Sequence, residues 1–246
     1  WHNETRANIY GKPVFFRPFL NLYQYRKYDP AVNSYTNKSI LFRNWNEDII
    51  DEQGGKRCGK LSGKATNSLS DSEIKTNKEV KCFRLLYGTI TFDGVTVDKQ
   101  AVKIDSLPCL WRSGGIAFKP VGDAIEGLTR ENKFMFNHVF ELTTKREQTG
   151  SNVYYSPVLK VTDQVVDLVD DPDVVVMRQF RELVDAQNSE VFAKWANVQK
   201  KKLNEQEKDL VSKLVPLDAD FEEVKVAFDD DISHVGTETL SNMAAG

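Results

Sequence analysis

Aromatic and basic side chains lie next to each other at four places along this chain of 246 residues. The mixture suits binding of unpaired nucleic acid, because cations neutralise phosphates and each exposed ring that stacks on a base contributes roughly 1–3 kcal/mol. The rings predicted to stack on bases are Tyr23, Tyr25, Tyr87, Trp111, Tyr154 and Tyr155. The cations predicted to contact phosphates are Arg26, Lys27, Arg84, Arg112, Lys145 and Arg146. Phenylalanines rank behind these rings, since many of the 14 Phe must fill the core.

A basic loop from Gly54 to Lys64 contains four glycines and matches the spacing G-x-x-x-x-G-K. A nucleotide-binding phosphate loop needs Ser or Thr next, to hold Mg²⁺, but Leu61 occupies that position. The flanking segments also lack the pattern of a preceding strand and a following helix. A flexible basic loop can still follow a phosphate backbone, so the sequence predicts a phosphate clamp made of Lys56, Arg57 and Lys60. An ordinary solvated loop is the alternative.

Signals for metal binding or catalysis are weak. The three cysteines and His138 lie 24, 27 and 29 residues apart, with no C-x-x-C pair, so we expect no metal site and no disulfide framework. The chain has no G-x-S-x-G motif, and His138 lies on an apolar strand face, which is typical of a core residue. Glu79-Val80-Lys81 has the local form of a metal-dependent nuclease motif. We expect a protein without a cofactor that is not an enzyme, and keep the nuclease as an alternative.

Charge is segregated along the chain. Residues 1–160 carry 24 Lys and Arg against 17 Asp and Glu, whereas residues 161–246 carry 9 against 19. From Pro216 onward, Lys225 is the single basic residue among eight acidic ones. A basic body joined to an acidic tail indicates a polyanionic partner for the body and a tail that competes with that partner.

Extended segments that could position these side chains dominate the first two thirds of the chain. Residues 10–43 contain short strands separated by turn signals. Residues 80–104 predict a β-hairpin whose turn is Asp93-Gly94. Residues 134–143 alternate strictly and return through 153–161, which predicts a second hairpin.

Loops and helices account for the remaining residues. Residues 44–79 are rich in Asn, Gly, Ser and Lys, which predicts a long loop with one helical turn near Ser70–Glu73. A helix is expected to begin at Pro120, and a helical period appears after residue 172.

The predicted fold is mainly β with a C-terminal α-helical part: an OB-fold-like barrel plus helices and an acidic tail. A β-sandwich fits the same pattern almost as well. The predicted division is a nucleic-acid-binding barrel at 1–165 that includes the long loop 44–79, a helical segment at 166–215 and a flexible acidic tail at 216–246. No run approaches the roughly 18 apolar residues of a membrane span, and no signal peptide precedes the body, so we expect no membrane partner and a cytoplasmic location.

This layout resembles that of bacteriophage single-stranded DNA-binding proteins, and the acids interleaved with Phe or Ile after Pro216 resemble the tails of that family. The resemblance implies a barrel groove that coats single-stranded DNA during replication and recombination in the host-cell cytoplasm. It also implies a tail that recruits replication or recombination proteins and occupies the groove when DNA is absent. The tail residues implied in partner binding are Asp218, Asp220, Phe221, Glu222, Glu223, Phe228, Asp229, Asp230 and Asp231.

Two other functions fit the sequence. A virion structural or assembly protein could use the helices at 173–214 as its interaction element, through apolar residues that include Val176, Phe180, Leu183, Phe192 and Trp195. A metal-dependent nuclease would use Glu79 and Lys81.

Overall fold

The computed structural model describes residues 8–44, 49–61, 68–169 and 171–214. It confirms a mainly β chain with a C-terminal helix. The strands are β1 (Ile9–Gly11), β2 (Val14–Asp29), β3 (Ser34–Lys38), β4 (Val80–Thr96), β5 (Ala101–Ser113), β6 (His138–Thr149) and β7 (Asn152–Val165). The helices are α1 (Asp71–Glu79), α2 (Phe118–Arg130) and α3 (Asp173–Leu214).

The seven strands form one antiparallel sheet that is open, whereas the sequence favoured a barrel. β4 pairs with β2 over most of its length and with β5 on its other edge, and β6 joins β2 to β7. The sandwich expected as the alternative would need a second sheet, but all seven strands of the described residues belong to this one. Helices cover both faces at the centre of the sheet, so the apolar side chains there are buried without closure into a barrel.

The alternation along β4 shows how the two helices divide the core. Leu86 points to the face covered by α2 and packs with Phe16 and Phe140. Leu85 and Tyr87 point to the opposite face and pack with Phe180 of α3. Both alternating sets of β4 side chains are therefore buried, as expected for a strand with a helix on each side.

The first hairpin turns later than its sequence predicts. β4 runs through Asp93-Gly94 to Thr96, and the chain reverses between Thr96 and Gln100. The added length pairs with β1, which places Tyr10 opposite Val95. A Cβ atom on Gly94 would lie 2.6 Å from Ile9 Cγ2, so this glycine allows the close approach of β1 instead of forming a turn.

The segment predicted as a long loop contains more structure than one helical turn. α1 runs over nine residues from Asp71 and starts with a capping box. The backbone N–H of Ser70 donates to Glu73 at 2.8 Å, while the Ser70 hydroxyl accepts from the Glu73 N–H at 3.4 Å. Further upstream, isolated bridges join Ser39 to Asp51 and Ile50 to Lys56. These contacts tie the described residues of the segment to the edge of the sheet.

A buried ion-pair network fixes the start of α3 to the centre of the sheet. Arg17 of β2 is 5% exposed and lies 2.6 Å from Asp171 and 3.2 Å from Asp173. Its Nε donates to the Phe136 carbonyl at 2.7 Å. Asp173 also accepts from Ser106 Oγ at 2.8 Å. Nothing in the sequence pattern indicated that Arg17 would lie in the interior, paired with residues more than 150 positions away.

The chain divides into two units, Trp1–Lys202 and Leu203–Gly246. The sheet, α1, α2 and the first thirty residues of α3 belong to the first unit. Of the second unit, only the continuation of α3 to Leu214 lies within the described residues. Among the helices of the described ranges, none combines the length and apolar character needed to cross a membrane.

Candidate functional site

Three of the six rings predicted to stack on bases are buried, and that part of the prediction is wrong. Tyr87 is fully buried, with its ring centroid 5.3 Å from that of Phe180 on α3. Tyr23 and Tyr25 are buried on the opposite face, where both pack against Phe42. The sequence shows aromatic residues beside cations, but tertiary packing buries these rings, by α3 over Tyr87 and by Phe42 and its neighbours over Tyr23 and Tyr25.

The other three predicted rings retain exposed surface. Trp111 is half-buried and meets Phe16 edge to face, with centroids 5.9 Å apart. Tyr154 is half-buried, and Tyr155 is 60% exposed. Both tyrosines lie on β7, far along the second hairpin from the core of the sheet.

The prediction that Arg84 contacts a phosphate is also wrong, because this side chain is 3% exposed. Its guanidinium lies 5.0 Å from the ring centroid of Tyr23 and 5.1 Å from that of Phe118, and Nη2 is 3.6 Å from Glu126. A Cβ on Gly122 would lie 2.3 Å from the same nitrogen. Arg84 therefore holds the start of α2 against the sheet by cation–π contact.

The other predicted cations differ in how accessible they are. Arg26 is half-buried above the ring of Tyr35 at 4.8 Å, and burial together with nearby Arg112 lowers its pKa. Lys27 lies 3.8 Å from Glu79, the acid of the nuclease alternative. The remaining three, Arg112, Lys145 and Arg146, are exposed.

The glycine-rich loop directs its backbone donors to a carboxylate of the protein. Buried Asp51 accepts from the N–H of Gly55 at 3.1 Å and from the N–H of Cys58 at 2.9 Å. A bound phosphate would need such donors, so the loop does not form a phosphate cradle. Lys60, also predicted for the clamp, is half-buried: its ammonium donates to the carbonyls of Asn77 and Val80, and burial lowers its pKa. Of the other clamp residues, Lys56 is exposed and Arg57 half-buried.

A cavity of about 910 Å³ contains a different set of cations and rings, and we call it the basic groove. Four of its lining residues are cationic, and none of the lining residues within the described ranges is a carboxylate. The cations are Arg43, Lys133, Arg178 and Arg181. The other lining residues are Phe19, Leu20, Asn21, Ile125, Thr129, Asn132, Phe134, Met135, Phe136, Val174 and Met177.

The basic groove lies at a gap in the sheet. β2 pairs with β6 only at Val14–Phe16, and its next bridge on that edge joins Tyr23 to Phe42. Residues 17–22 therefore have no strand partner on this edge within the described parts of the chain. A bulge between Pro18 and Leu20 interrupts the register with β4 at the same level. The end of α2, the start of α3 and the segment before β6 surround the gap.

Phe134 presents an aromatic surface within the basic groove. It is 66% exposed, and its ring stacks on that of Phe136 with centroids 5.3 Å apart and an interplanar angle of 12°. Phe136 is half-buried, and its carbonyl accepts from Arg17, so the inner ring of the pair is held by the buried network. The outer ring is consequently supported from behind and open towards solvent.

The groove cations are available for a ligand. Arg43, Arg178 and Arg181 are exposed, and none makes an ion pair with another residue of the described ranges. Arg178 and Arg181 lie three residues apart on α3, on neighbouring positions of one face and about 4.5 Å apart along the axis. Lys133 lies 2.6 Å from Glu131, with both side chains largely exposed. An exposed pair of this kind contributes little and leaves the lysine free to exchange partners.

The sequence contained one usable signal for this site. Lys133 directly precedes Phe134, which is the same pairing of cation and ring that selected the tyrosines. Ranking Tyr and Trp ahead of Phe leaves Phe134 out of the predicted stacking rings, and the strict alternation of residues 134–143 predicts that Phe134 and Phe136 lie on a strand. In the structure a 3₁₀ turn occupies Met135–Asn137 and β6 begins at His138, so both rings precede the strand.

Other chemistry has little support in the described part of the molecule. No group of three or more His, Cys, Asp and Glu residues there could hold a metal ion. Burial raises the pKa of Cys82 and of Cys109 to about 12, so these thiols stay protonated at neutral pH. The helical residues Val176 and Phe180, considered for partner binding, pack on the protein's own sheet, while Leu183 and Phe192 are exposed.

Comparison with protein-family models, with curated proteins and with solved structures gives no match to this chain. The acidic residues from Asp218 to Asp231, predicted to bind partners, lie outside the described residues. The functional interpretation therefore depends on the chemistry of the basic groove.

Proposed function

We propose that this chain binds single-stranded DNA in the basic groove, without strong sequence preference, as a non-enzymatic binding protein of phage DNA replication or recombination. The observation that carries the proposal is the combination of four cations and an exposed ring in one groove, whose described lining contains no carboxylate. Cations hold a phosphate backbone of any sequence, and every base has a face that can stack on Phe134.

The same geometry favours an unpaired strand over a duplex. Stacking on Phe134 requires a base whose face is open, whereas bases in a duplex are covered by their neighbours. Arg178 and Arg181 suit adjacent phosphates, because their separation along α3 of about 4.5 Å is close to the spacing of nucleotides in a strand. The described residues of the groove support binding by charge and stacking.

The affinity of the chain for single-stranded DNA should fall as the salt concentration rises. Fluorescence anisotropy with labelled oligo-dT should give binding whose log K falls by at least about 2.8 per decade of salt, because each of the four phosphates neutralised in the groove contributes about 0.7. A duplex of equal length should bind at least tenfold more weakly at each salt concentration. Absence of oligo-dT binding at low salt, or an affinity independent of salt, would contradict the proposal.

The second prediction concerns the acidic segment after Pro216. Its interleaved acids and phenylalanines have the charge and apolar character to compete with DNA for the basic groove. The triple substitution Asp229→Asn, Asp230→Asn and Asp231→Asn should therefore tighten oligo-dT binding several-fold at low salt. The control changes the same net charge at exposed acids away from the groove, namely Asp71→Asn, Asp93→Asn and Asp98→Asn. Equal effects of the two triple variants would show that the segment has no specific role.

A further inference from the structure

The far ends of β6 and β7 form a two-stranded arm, which we call the ribbon and define as Thr143–Val158. β2 pairs with β6 only as far as Leu142, and from Thr143 onward β6 and β7 have no other strand partner among the residues that the structure describes. Most ribbon side chains are exposed. A two-stranded hairpin is only marginally stable by itself. Here the arm continues a larger sheet whose core supports its base.

One face of the ribbon combines a cation with an exposed ring. Arg146 and Tyr155 are directly opposite each other in the β6–β7 register, so their side chains are neighbours on the same face. Both are exposed, Tyr155 by 60%. The other residues on this face are uncharged: Thr144, Gln148, Val153 and Pro157.

On the opposite face of the ribbon, a lysine and a glutamate offset each other's charge. Lys145 is 70% exposed and lies 4.0 Å from Glu147. The Ser156 hydroxyl donates to Glu147 at 2.6 Å, and this hydrogen bond holds the pKa of the carboxyl below its usual range. The unbalanced positive charge therefore lies on the face that also carries Tyr155.

We propose that the Arg146–Tyr155 face is a second contact for the same DNA strand that occupies the basic groove. This inference rests on the proposed function. Charge complementarity favours a nucleic acid as the occupant, because the face carries a cation and a ring without a carboxylate. β6 itself links the two sites, since it begins two residues after the groove residue Phe136 and reaches Arg146 eight residues beyond His138.

The distance between the sites sets the length of DNA that can reach both. Eight residues of antiparallel strand span about 27 Å at 3.4 Å per residue. A stacked DNA strand rises about 3.4 Å per nucleotide, so about eight nucleotides cover the same distance. Once one site holds the strand, binding at the other becomes intramolecular, and affinity should rise sharply for oligonucleotides longer than this span.

The experiment measures the affinity of the full chain for dT6 and dT20 at one low salt concentration. The ribbon variant Arg146→Gln/Tyr155→Ala is compared with Lys103→Gln/Tyr10→Ala, which removes one exposed cation and one exposed tyrosine from the first hairpin and β1. We expect the ribbon variant to bind dT6 like the wild type, within twofold, and dT20 at least fivefold more weakly. The control should match the wild type with both oligonucleotides.

Three results would overturn the inference. An unchanged affinity of the ribbon variant for dT20 would show that the ribbon makes no contact, and equal losses with dT6 and dT20 would place it within a single site. Light scattering without DNA supplies the third result, because a wild-type dimer that the ribbon variant abolishes would assign this face to a second copy of the chain. If the wild type bound neither dT6 nor dT20, the result would instead refute the proposed function itself.

Discussion

Replacing Arg17 with methionine is expected to lower the free energy of unfolding by about 3–5 kcal/mol. The substitution leaves Asp171 and Asp173 without their cation, and the side chain of Asp171 is only 3% exposed. It also removes the donor to the Phe136 carbonyl, which fixes the inner ring of the groove. Urea unfolding at pH 7, followed by circular dichroism, measures the loss.

Arg146→Met is the matched control, because it removes an exposed arginine from a strand and should change stability by less than about 0.5 kcal/mol. A loss below about 1 kcal/mol for Arg17→Met would show that the buried network contributes little. Methionine has a similar length and avoids a cavity, so the expected loss reports the uncompensated carboxylates rather than a packing defect.

The stability gap between wild type and Arg17→Met should narrow in acid. Burial alone would raise the pKa of Asp171, but the hydrogen bonds from Arg17 and from the Asp173 N–H, together with the Arg17 charge, hold it below the ordinary value of 3.8. In the wild type this carboxylate therefore stabilises the fold above about pH 4, and the contribution is lost as pH falls through the lowered pKa. In the variant, protonation relieves a buried unpaired charge. A gap that stays constant from pH 7 to pH 3 would contradict this explanation.

Neutralising both arginines of α3 in the basic groove, with Arg178→Gln and Arg181→Gln, should weaken oligo-dT binding by roughly 70-fold at 50 mM salt. The figure follows from the loss of two phosphate contacts at about 0.7 each in the log–log slope, extrapolated from 1 M salt. The slope itself should fall in magnitude by about 1.4. Anisotropy titrations at four or more salt concentrations measure both quantities.

Lys99→Gln with Lys103→Gln provides the control for charge alone, since both lysines are exposed on the first hairpin and neither lines the basic groove. This control should leave the salt slope within about 0.3 of the wild type. If it reduces the slope as much as the arginine pair does, binding reflects the overall charge of the body and not the groove.

Much of the fold could be predicted from the sequence, because period and turn chemistry are local signals. The strict alternation around Phe140, the helix near Pro120 and the helical period after residue 172 correspond to β6, α2 and α3. The sequence could not show that the sheet stays open instead of closing into a barrel, because this depends on how much of each face the helices cover. The prediction of a turn at Asp93-Gly94 was wrong for a related reason, because β1, which is distant in sequence, pairs with Gly94, Val95 and Thr96 and so extends the strand.

The candidate site was harder to predict than the fold, because exposure is a tertiary property. Tyr87 and Tyr155 have the same local chemistry, yet one lies beneath α3 and the other on a free arm. Arg84 and Arg178 differ in the same way. The basic groove contains residues from β2, α2 and α3 at a gap in strand pairing. The spacing of residues within one segment cannot predict that these three elements lie next to each other.

Photocrosslinking tests most directly whether DNA occupies the basic groove. An oligo-dT carrying 5-iododeoxyuridine is bound to the full chain at low salt, irradiated, and the crosslinked peptides are identified by mass spectrometry. We predict that the main adduct lies on Phe134 and that unlabelled oligo-dT, but not duplex, competes it away. Adducts confined to residues outside the groove, with none between Lys133 and Phe136, would contradict the assignment.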